Sequence, residues 1–353
     1  MNAELYSSSK ALVSRLRRAM YDFSETNVCD VLDDVLSDDV IIHLAHPLGD
    51  MTGADQYYKT AYGPLLHAVP DLERRDYIVI GGNNHVDGQS DEHWVGCAGY
   101  YTGTFTKSWL DIPPTGHMMH MRFHEFYRVE NDQIIEIQAL WDIPELMMQA
   151  GVWPMTPSLG RQWHAPAPAT QDGVVDCEPD FKASLASQNL VIDMLTHMQK
   201  HPHEGGPEIM QLERFWHPRM SWYGPSGIGT ARGIEGFRKH HQIPFLKAMP
   251  DRGQYPDEAN HHFFADHHYV AVTGWPNMVQ TITGDGWLGL NPTGAIISLR
   301  SLDFWRIEDN LIRENWVLVD ILDVYRQLGV DVFARMREMN GIKQYHLAKG
   351  SMG

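Results

Sequence analysis

The chain repeats itself, and the repeat limits the architectures open to it more than any other feature. Residues 108–152 (SWLDIPPTGHMMHMRFHEFYRVENDQIIEIQALWDIPELMMQAGV) align without a gap on residues 286–330 (GWLGLNPTGAIISLRSLDFWRIEDNLIRENWVLVDILDVYRQLGV). The offset is 178, and 17 of the 45 paired positions are identical, where ordinary residue usage gives about three. Upstream the offset becomes 180, setting Gly53 on Gly233, Pro64 on Pro244 and Pro70-Asp71 on Pro250-Asp251. Two homologous halves follow, and 353 residues are enough for two domains that each bury a core. Between them, residues 151–180 carry Pro154, Pro157, Pro166, Pro168 and Pro179, which break any regular ladder. The expected organisation is a first domain over 1–150, a strap over 151–180 pinned by Trp153 and Trp163, and a second domain over 181–340.

Each half reads alike. Leu12, Leu16, Ala19, Met20 and Phe23 recur at helical spacing, as do residues in 185–198 of the second half. A short helix with Val31, Leu32 and Val35 leads into the strand VIIHL, and a third helix over 54–68 is closed by Pro70. Strands are expected over 72–80 and 94–105, then a hairpin of 117–129 with 133–141 that turns at Glu130-Asn131-Asp132. Its counterpart turns at Glu308-Asp309-Asn310. Asp142 and Asp320 each stand three residues before a carboxylate at the head of a last helix, a capping pattern. A curved antiparallel sheet with helices on one side is an α+β arrangement.

The 45 acidic side chains outnumber 28 basic ones, giving −17, so phosphate backbones and anionic membranes are poor partners. No apolar run is long enough to span a membrane, and MNAELYSSSK has no leader-like apolar region. Cys29, Cys97 and Cys177 are scattered, which fits a reducing, cytoplasmic setting. No GxGxxG after a strand, P-loop or GxSxG elbow is present, so nicotinamide, nucleoside-triphosphate and α/β-hydrolase chemistry lack support.

The order of elements, Gly103-Thr-Phe, Ile112-Pro-Pro-Thr-Gly116, Phe126-Tyr-Arg-Val, Ile134-Ile-Glu136, Asp142 and Gln149-Ala-Gly151 together resemble the SnoaL-like polyketide cyclases of the nuclear-transport-factor-2-like superfamily. Asn291-Pro-Thr-Gly294, Phe304-Trp-Arg-Ile, Ile312-Arg-Glu314, Asp320 and Gln327-Leu-Gly329 repeat the resemblance. It implies two fused cone-shaped α+β-barrel domains, each a curved antiparallel sheet wrapped around helices. The acid/base aspartate of the family's ring-closing members corresponds to Ala139 and Val317 here, and the family's histidine on the preceding strand to Glu125 and Asp303.

Strand alternation puts Met121, Phe123, Glu125 and Tyr127 on one face, and counting back from the turn sets 125 opposite 137 and 121 opposite 141. Trp141 then joins that face, and Asp303 falls opposite Asn315 in the second half. Each half thus holds one carboxylate, Glu125 or Asp303, on its more apolar face, where lost hydration raises a carboxyl pKa toward neutrality. A structural, hydrogen-bonded carboxylate is the competing reading. His43 and His46 flank the mouth expected of such a cone, with Trp222 in the matching stretch, and Trp94 and Tyr100 are candidates for stacking a planar substrate. Arg128 with Glu136 and Arg306 with Glu314 read as sheet-stabilising pairs on the other face. Doubled histidines such as His240-His241 can offer only one ligand each to a site, so no metal is expected.

These readings converge on a cofactor-independent acid–base enzyme, an isomerase, cyclase or lyase for a small apolar or aromatic substrate. The candidate catalytic residues are Glu125, His43 and Asp303, and the candidate substrate-binding residues His46, Trp94, Tyr100, Phe123, Trp141, Trp222 and Asn315. The alternative is a binding or interaction module of the same fold without turnover. Leu302, Phe304, Trp316 and Leu318 form an apolar outer face suited to an internal pseudo-dimer or a homo-oligomer. The hairpin face is more apolar in the first half and more polar in the second, so one half is expected to be active and the other structural.

Overall fold

The computed structural model describes residues 3–84 and 92–350. In the first half α1 (Ala3–Tyr21) and α2 (Glu25–Val35) precede β1 (Leu36–Leu44) and β2 (Gly49–Thr52). A composite helix follows: α3 (Ala54–Tyr57), a π turn (Tyr58–Tyr62) and α4 (Gly63–Ala68). Then come β3 (Glu73–Asn83), β4 (His93–Thr104), β5 (Met118–Glu130), β6 (Gln133–Trp141) and α5 (Ile143–Gln149). The second half repeats the plan with α6 (Phe181–Met198), β7 (Trp216–Tyr223), β8 (Ala231–Arg232) and α7 (Gly233–Phe237). A second π turn (Arg238–Gln242) leads to α8 (Ile243–Ala248), then β9 (His262–Asp266), β10 (Tyr269–Thr273), β11 (Met278–Thr281) and β12 (Ile296–Leu299). Last are β13 (Ser301–Glu308), β14 (Leu311–Val319), α9 (Ile321–Gln327) and α10 (Val332–Gly350).

The two six-stranded sheets have matching orders, β2-β1-β6-β5-β4-β3 and β8-β7-β14-β13-β10-β9. Pairing is antiparallel except for one parallel contact in each, β1 with β6 and β7 with β14. The helices lie inside each curve because their apolar stripes need a face to cover: Val13, Leu16 and Met20 of α1 are fully buried. The hairpin turns form as their residues allow, with Asn131, Asp132, Asp309 and Asn310 all in the left-handed region that suits a two-residue connection.

Glycine Gly96 on β4 lets the two sheets approach, since a Cβ there would meet the Phe304 ring at 2.9 Å. Phe126 stacks on Phe304 with ring centroids 5.0 Å apart, and Leu302, Trp316 and Leu318 complete this second core. Burying Leu302, Phe304 and Leu318 contributes roughly 1.5–3 kcal/mol each. Polar groups trapped in the seam bond across it. His124 Nδ1 lies 2.6 Å from the carbonyl of Leu302, and the buried Arg122 guanidinium donates to the carbonyls of Tyr223, Gly224 and Val317.

Both capping aspartates form their caps, Asp142 on the N–H of Glu145 and Asp320 on that of Asp323. Each spends its second oxygen on the other half: Asp142 accepts from Ser226 N and Asp320 from His46 N, both at 2.9 Å. Residues 150–180, between α5 and α6, contain no helix or strand and run over the seam. Tyr100 donates to Ala165 O, Trp316 Nε1 to Pro166 O, and Val79 pairs with residues 173 and 175. Trp153 packs edge-on to Tyr325, and Trp163, though 61% exposed, meets Tyr223 edge-on. Backbone and side-chain hydrogen bonds add to these ring contacts in holding the strap.

Candidate active site

The two interiors have the same walls and opposite contents. In the first, Glu125 is fully buried on β5 and all four of its lone-pair positions are taken. Oε1 accepts from Tyr101 Oη at 2.8 Å and Trp141 Nε1 at 2.9 Å, while Oε2 accepts from Arg74 Nη1 and Tyr127 Oη. Arg74 continues to Asp76, which also binds Arg17 at 2.9 Å. The Arg74 guanidinium sits 4.2 Å from the Phe123 ring centroid. Tyr57 and Tyr62 close the remaining space, their hydroxyls 2.8 Å apart. Glu125 has no lone pair left to take a substrate proton.

Three replacements open the second interior. On the inner face of the hairpin Phe123 becomes Ser301 and Trp141 becomes Val319, while Glu125 becomes Asp303. The π turn that delivers Tyr62 in the first half delivers His241 and Gln242 in the second. Finally, the long strand β4 has no full equivalent. Pro276 lacks the N–H needed to continue β10, so β11 and β12 form a separate two-stranded flap. The result is a cavity of about 120 Å³ walled by Trp216, Trp222, Phe237, Phe245, Trp287 and Trp305. A cavity of about 150 Å³ admits benzene, so the space suits a ligand of about one ring.

Asp303 is the carboxylate of this cavity, on β13 opposite Val317 of β14 and Val272 of β10. Burial drives its pKa up to about 7, against the lowering effects of the Ser301 hydroxyl at 2.7 Å and the Arg252 charge. Only one oxygen is engaged by a described residue, and the side chain keeps surface toward the lumen. His241 stacks on Trp222 with centroids 4.0 Å apart, and burial followed by the Arg252 charge lowers its pKa to about 3, which keeps it neutral. Its Nδ1, both polar atoms of Gln242, and the indole N–H groups of Trp216, Trp287 and Trp305 are buried without a hydrogen-bond partner. Such groups cost free energy unless something completes them. A titratable carboxyl thus shares a small apolar cavity with several unused donors.

The sequence profile of the SnoaL-like polyketide cyclases matches residues 14–150 and 206–328, which hold both six-stranded sheets and most of their helices but not α6. The chain belongs to that family. Among solved structures, IdmH of Streptomyces antibioticus, a candidate polyketide cyclase, is 18% identical over 41% of this chain and 98% of its own, with a TM-score of 0.34. A SnoaL-like protein of Jannaschia sp. CCS1 is 19% identical over 42% of this chain and 94% of its own, TM-score 0.33. AclR of Streptomyces galilaeus, a candidate hydroxylase, is 18% identical over 43% and 86%, TM-score 0.34. No curated protein matches the chain in sequence.

Within this SnoaL-like pair, the residues singled out from sequence fall into three groups. Asp303, Trp222 and Asn315 meet in the second cavity, where Asn315 Nδ2 donates to Phe304 O at 2.9 Å. Glu125, Phe123 and Trp141 meet in the first interior, locked as described. His43, His46, Trp94 and Tyr100 reach neither. His43 bonds Asp50 at 2.8 Å and stacks on Trp275, and His46 lies near Phe333 at the seam. Trp94 and Tyr100 pair with Arg128 and Arg122 on the outer face, where Tyr100 stacks on His164 of the strap.

The hairpin register is also displaced by two from simple counting. A bulge between Arg128 and Val129 sets 125 opposite 139 and 123 opposite 141, and another at Arg306 sets Trp305, not Asp303, opposite Asn315. Arg128 with Glu136 and Arg306 with Glu314 do form ion pairs, at 3.2 and 2.6 Å. Sequence reasoning missed Arg74, Tyr101, Arg252, His241 and Gln242. Only Tyr101 carried a usable signal, being one residue from Tyr100 on the opposite face. Among the described residues, no three His, Cys, Asp or Glu side chains cluster to hold a metal, and no helix is long and apolar enough to cross a membrane.

Returning the first half's residue to the second should close the cavity. Val319→Trp is expected to abolish uptake of one-ring aromatic fragments in calorimetric titration while leaving the melting temperature unchanged or higher, since it fills empty space.

Proposed function

We propose that the second domain is a cofactor-independent acid–base enzyme of the cyclase or isomerase type, with Asp303 as its proton carrier, and that the first domain is its structural partner in a covalent pseudo-dimer. The division at residues 150 and 180, and a cytoplasmic setting in keeping with three free thiols, belong to the same reading. The observation that carries it is a carboxyl held near neutrality by burial, open to a ring-sized apolar cavity.

In this reading the substrate is a small, largely planar molecule with an acidic C–H or O–H beside a carbonyl. Asp303 in its ionised form takes that proton, and the resulting carboxylic acid returns it at a second atom. Negative charge developing on the carbonyl oxygen would be met by the unused N–H groups of Trp305, Trp216 or Gln242, which need no reorganisation to act. Ser301 fixes the carboxyl through one oxygen and leaves the other for the proton. His241, kept neutral, shapes the wall rather than supplying charge.

Carbon-13 NMR titration of the side-chain carboxyls tests this without a known substrate. One carboxyl should titrate near pH 7, above the two buried capping aspartates Asp142 and Asp320 at about 6, and that signal alone should vanish in Asp303→Asn. An Asp303 signal that titrates below pH 5 would remove the proton carrier and with it the proposal.

A further inference from the structure

The loop between α8 and β9 carries Arg252, and its guanidinium lines the same cavity. Its sequence neighbour Asp251 is turned away, both carboxylate oxygens accepting from Thr281 N at 3.0 Å. Asp303 is the charged group that acts on Arg252, and it stands beyond ion-pair distance. No described residue forms a hydrogen bond or ion pair with this half-buried guanidinium, whereas the buried Arg74, Arg122 and Arg306 are each tied to two or more acceptors. A half-buried cation with no partner among the described residues leaves its donors free for a ligand. The first half has no equivalent, since Leu72 occupies the matching position.

We infer that the second cavity is built for a monoanionic carboxylate of about one ring, whose carboxylate is held in the fork of Arg252 while its ring lies among the tryptophans. This deepens the acid–base reading and rests on it for the location of the site. Planar, bidentate carboxylate recognition is what a guanidinium does best. The indole walls then cover the ring. Charge limits the ligand to one negative unit, because Arg252 can balance one and Asp303 repels a second. The titratable groups around the cavity are His241, Arg252, His261 and Asp303. An anion bound beside Asp303 favours its protonated form, so binding takes up a proton near neutral pH and tightens as pH falls through about 7.

The test uses the full chain with benzoate and its neutral counterpart benzamide, followed by calorimetry and by the indole N–H signals of the tryptophans. Benzoate should bind at least about tenfold more tightly than benzamide, the scale of a charge-assisted pair, and should shift several indole signals. Arg252→Met should erase that preference without lowering the melting temperature, since the guanidinium has no partner among the described residues to lose; loss of a merely structural arginine would lower it. Asp303→Asn should keep the benzoate preference and lose its pH dependence. Equal binding of the two probes, or a preference that survives Arg252→Met, overturns the carboxylate site. Benzoate binding that depends on Arg252 but has no inflection near pH 7 in the parent keeps the carboxylate site and overturns the acid–base reading alone.

Discussion

Asp303→Asn is expected to cut turnover by about 10²–10⁴-fold, the usual contribution of a positioned general base, with the fold intact. The Ser301 hydroxyl can still donate to the amide oxygen, and nothing else among the described residues bonds to this side chain. The pH profile separates chemistry from structure. Because the base must be ionised, kcat/KM of the parent enzyme should rise through about pH 7 and level off above it. In the variant that limb should disappear. Stability should move the other way. The folded pKa of about 7 lies above the ordinary value of about 3.9, so this carboxyl's contribution is full below about pH 4 and lost as pH rises through 7. At pH 8 the asparagine variant should therefore melt above the parent. Turnover unaffected by the substitution would leave the cavity a binding site without chemistry.

Glu125→Gln should destabilise the protein by about 3–5 kcal/mol, the cost of breaking a buried ion pair from one side, as read from urea unfolding. The geometry explains why so similar a side chain fails. Each oxygen of Glu125 faces one hydroxyl, which can turn to accept, and one fixed N–H, from Trp141 or Arg74. A glutamine must point its NH₂ at one of those fixed donors, and Arg74 loses half of its counter-charge. Turnover per folded molecule should stay near the parent value, because the substitution lies in the other half. A variant as stable as the parent would mean that the network of Arg17, Asp76, Arg74 and Glu125 carries no weight.

The repeat, the element order and the α+β class were legible because they rest on local patterns: helical spacing, capping aspartates and turn residues repeated at a fixed offset. What resisted was anything set by register or by distant partners. A bulge at Arg128 leaves no mark in the sequence, yet it moves the β6 partner of Glu125 by two places. Tyr100 and Tyr101 are equivalent in composition, and only the pairing with β5 turns one outward to the strap and the other onto Glu125. Arg74 and Glu125 are 51 residues apart, and a buried ion pair of that kind cannot be read from either residue alone. The open cavity had its signal in plain view, in Ser301 and Val319 aligned with Phe123 and Trp141. Small-for-large replacements read as an opening only once the facing helices are known to leave the space unfilled.

One chain with a filled interior and an open one has a consequence for how such a pocket can arise. An empty cavity costs about 24 cal/mol per Å³, so the one here, at about 120 Å³, costs roughly 3 kcal/mol. In a twofold-symmetric assembly of identical copies every substitution occurs twice, and the loss would double to about 6 kcal/mol against a total stability of about 5–15. Covalent duplication lifts that constraint. One copy can be kept as ballast, densely packed and ionically locked, while its twin is free to drift in pocket shape and charge under separate selection.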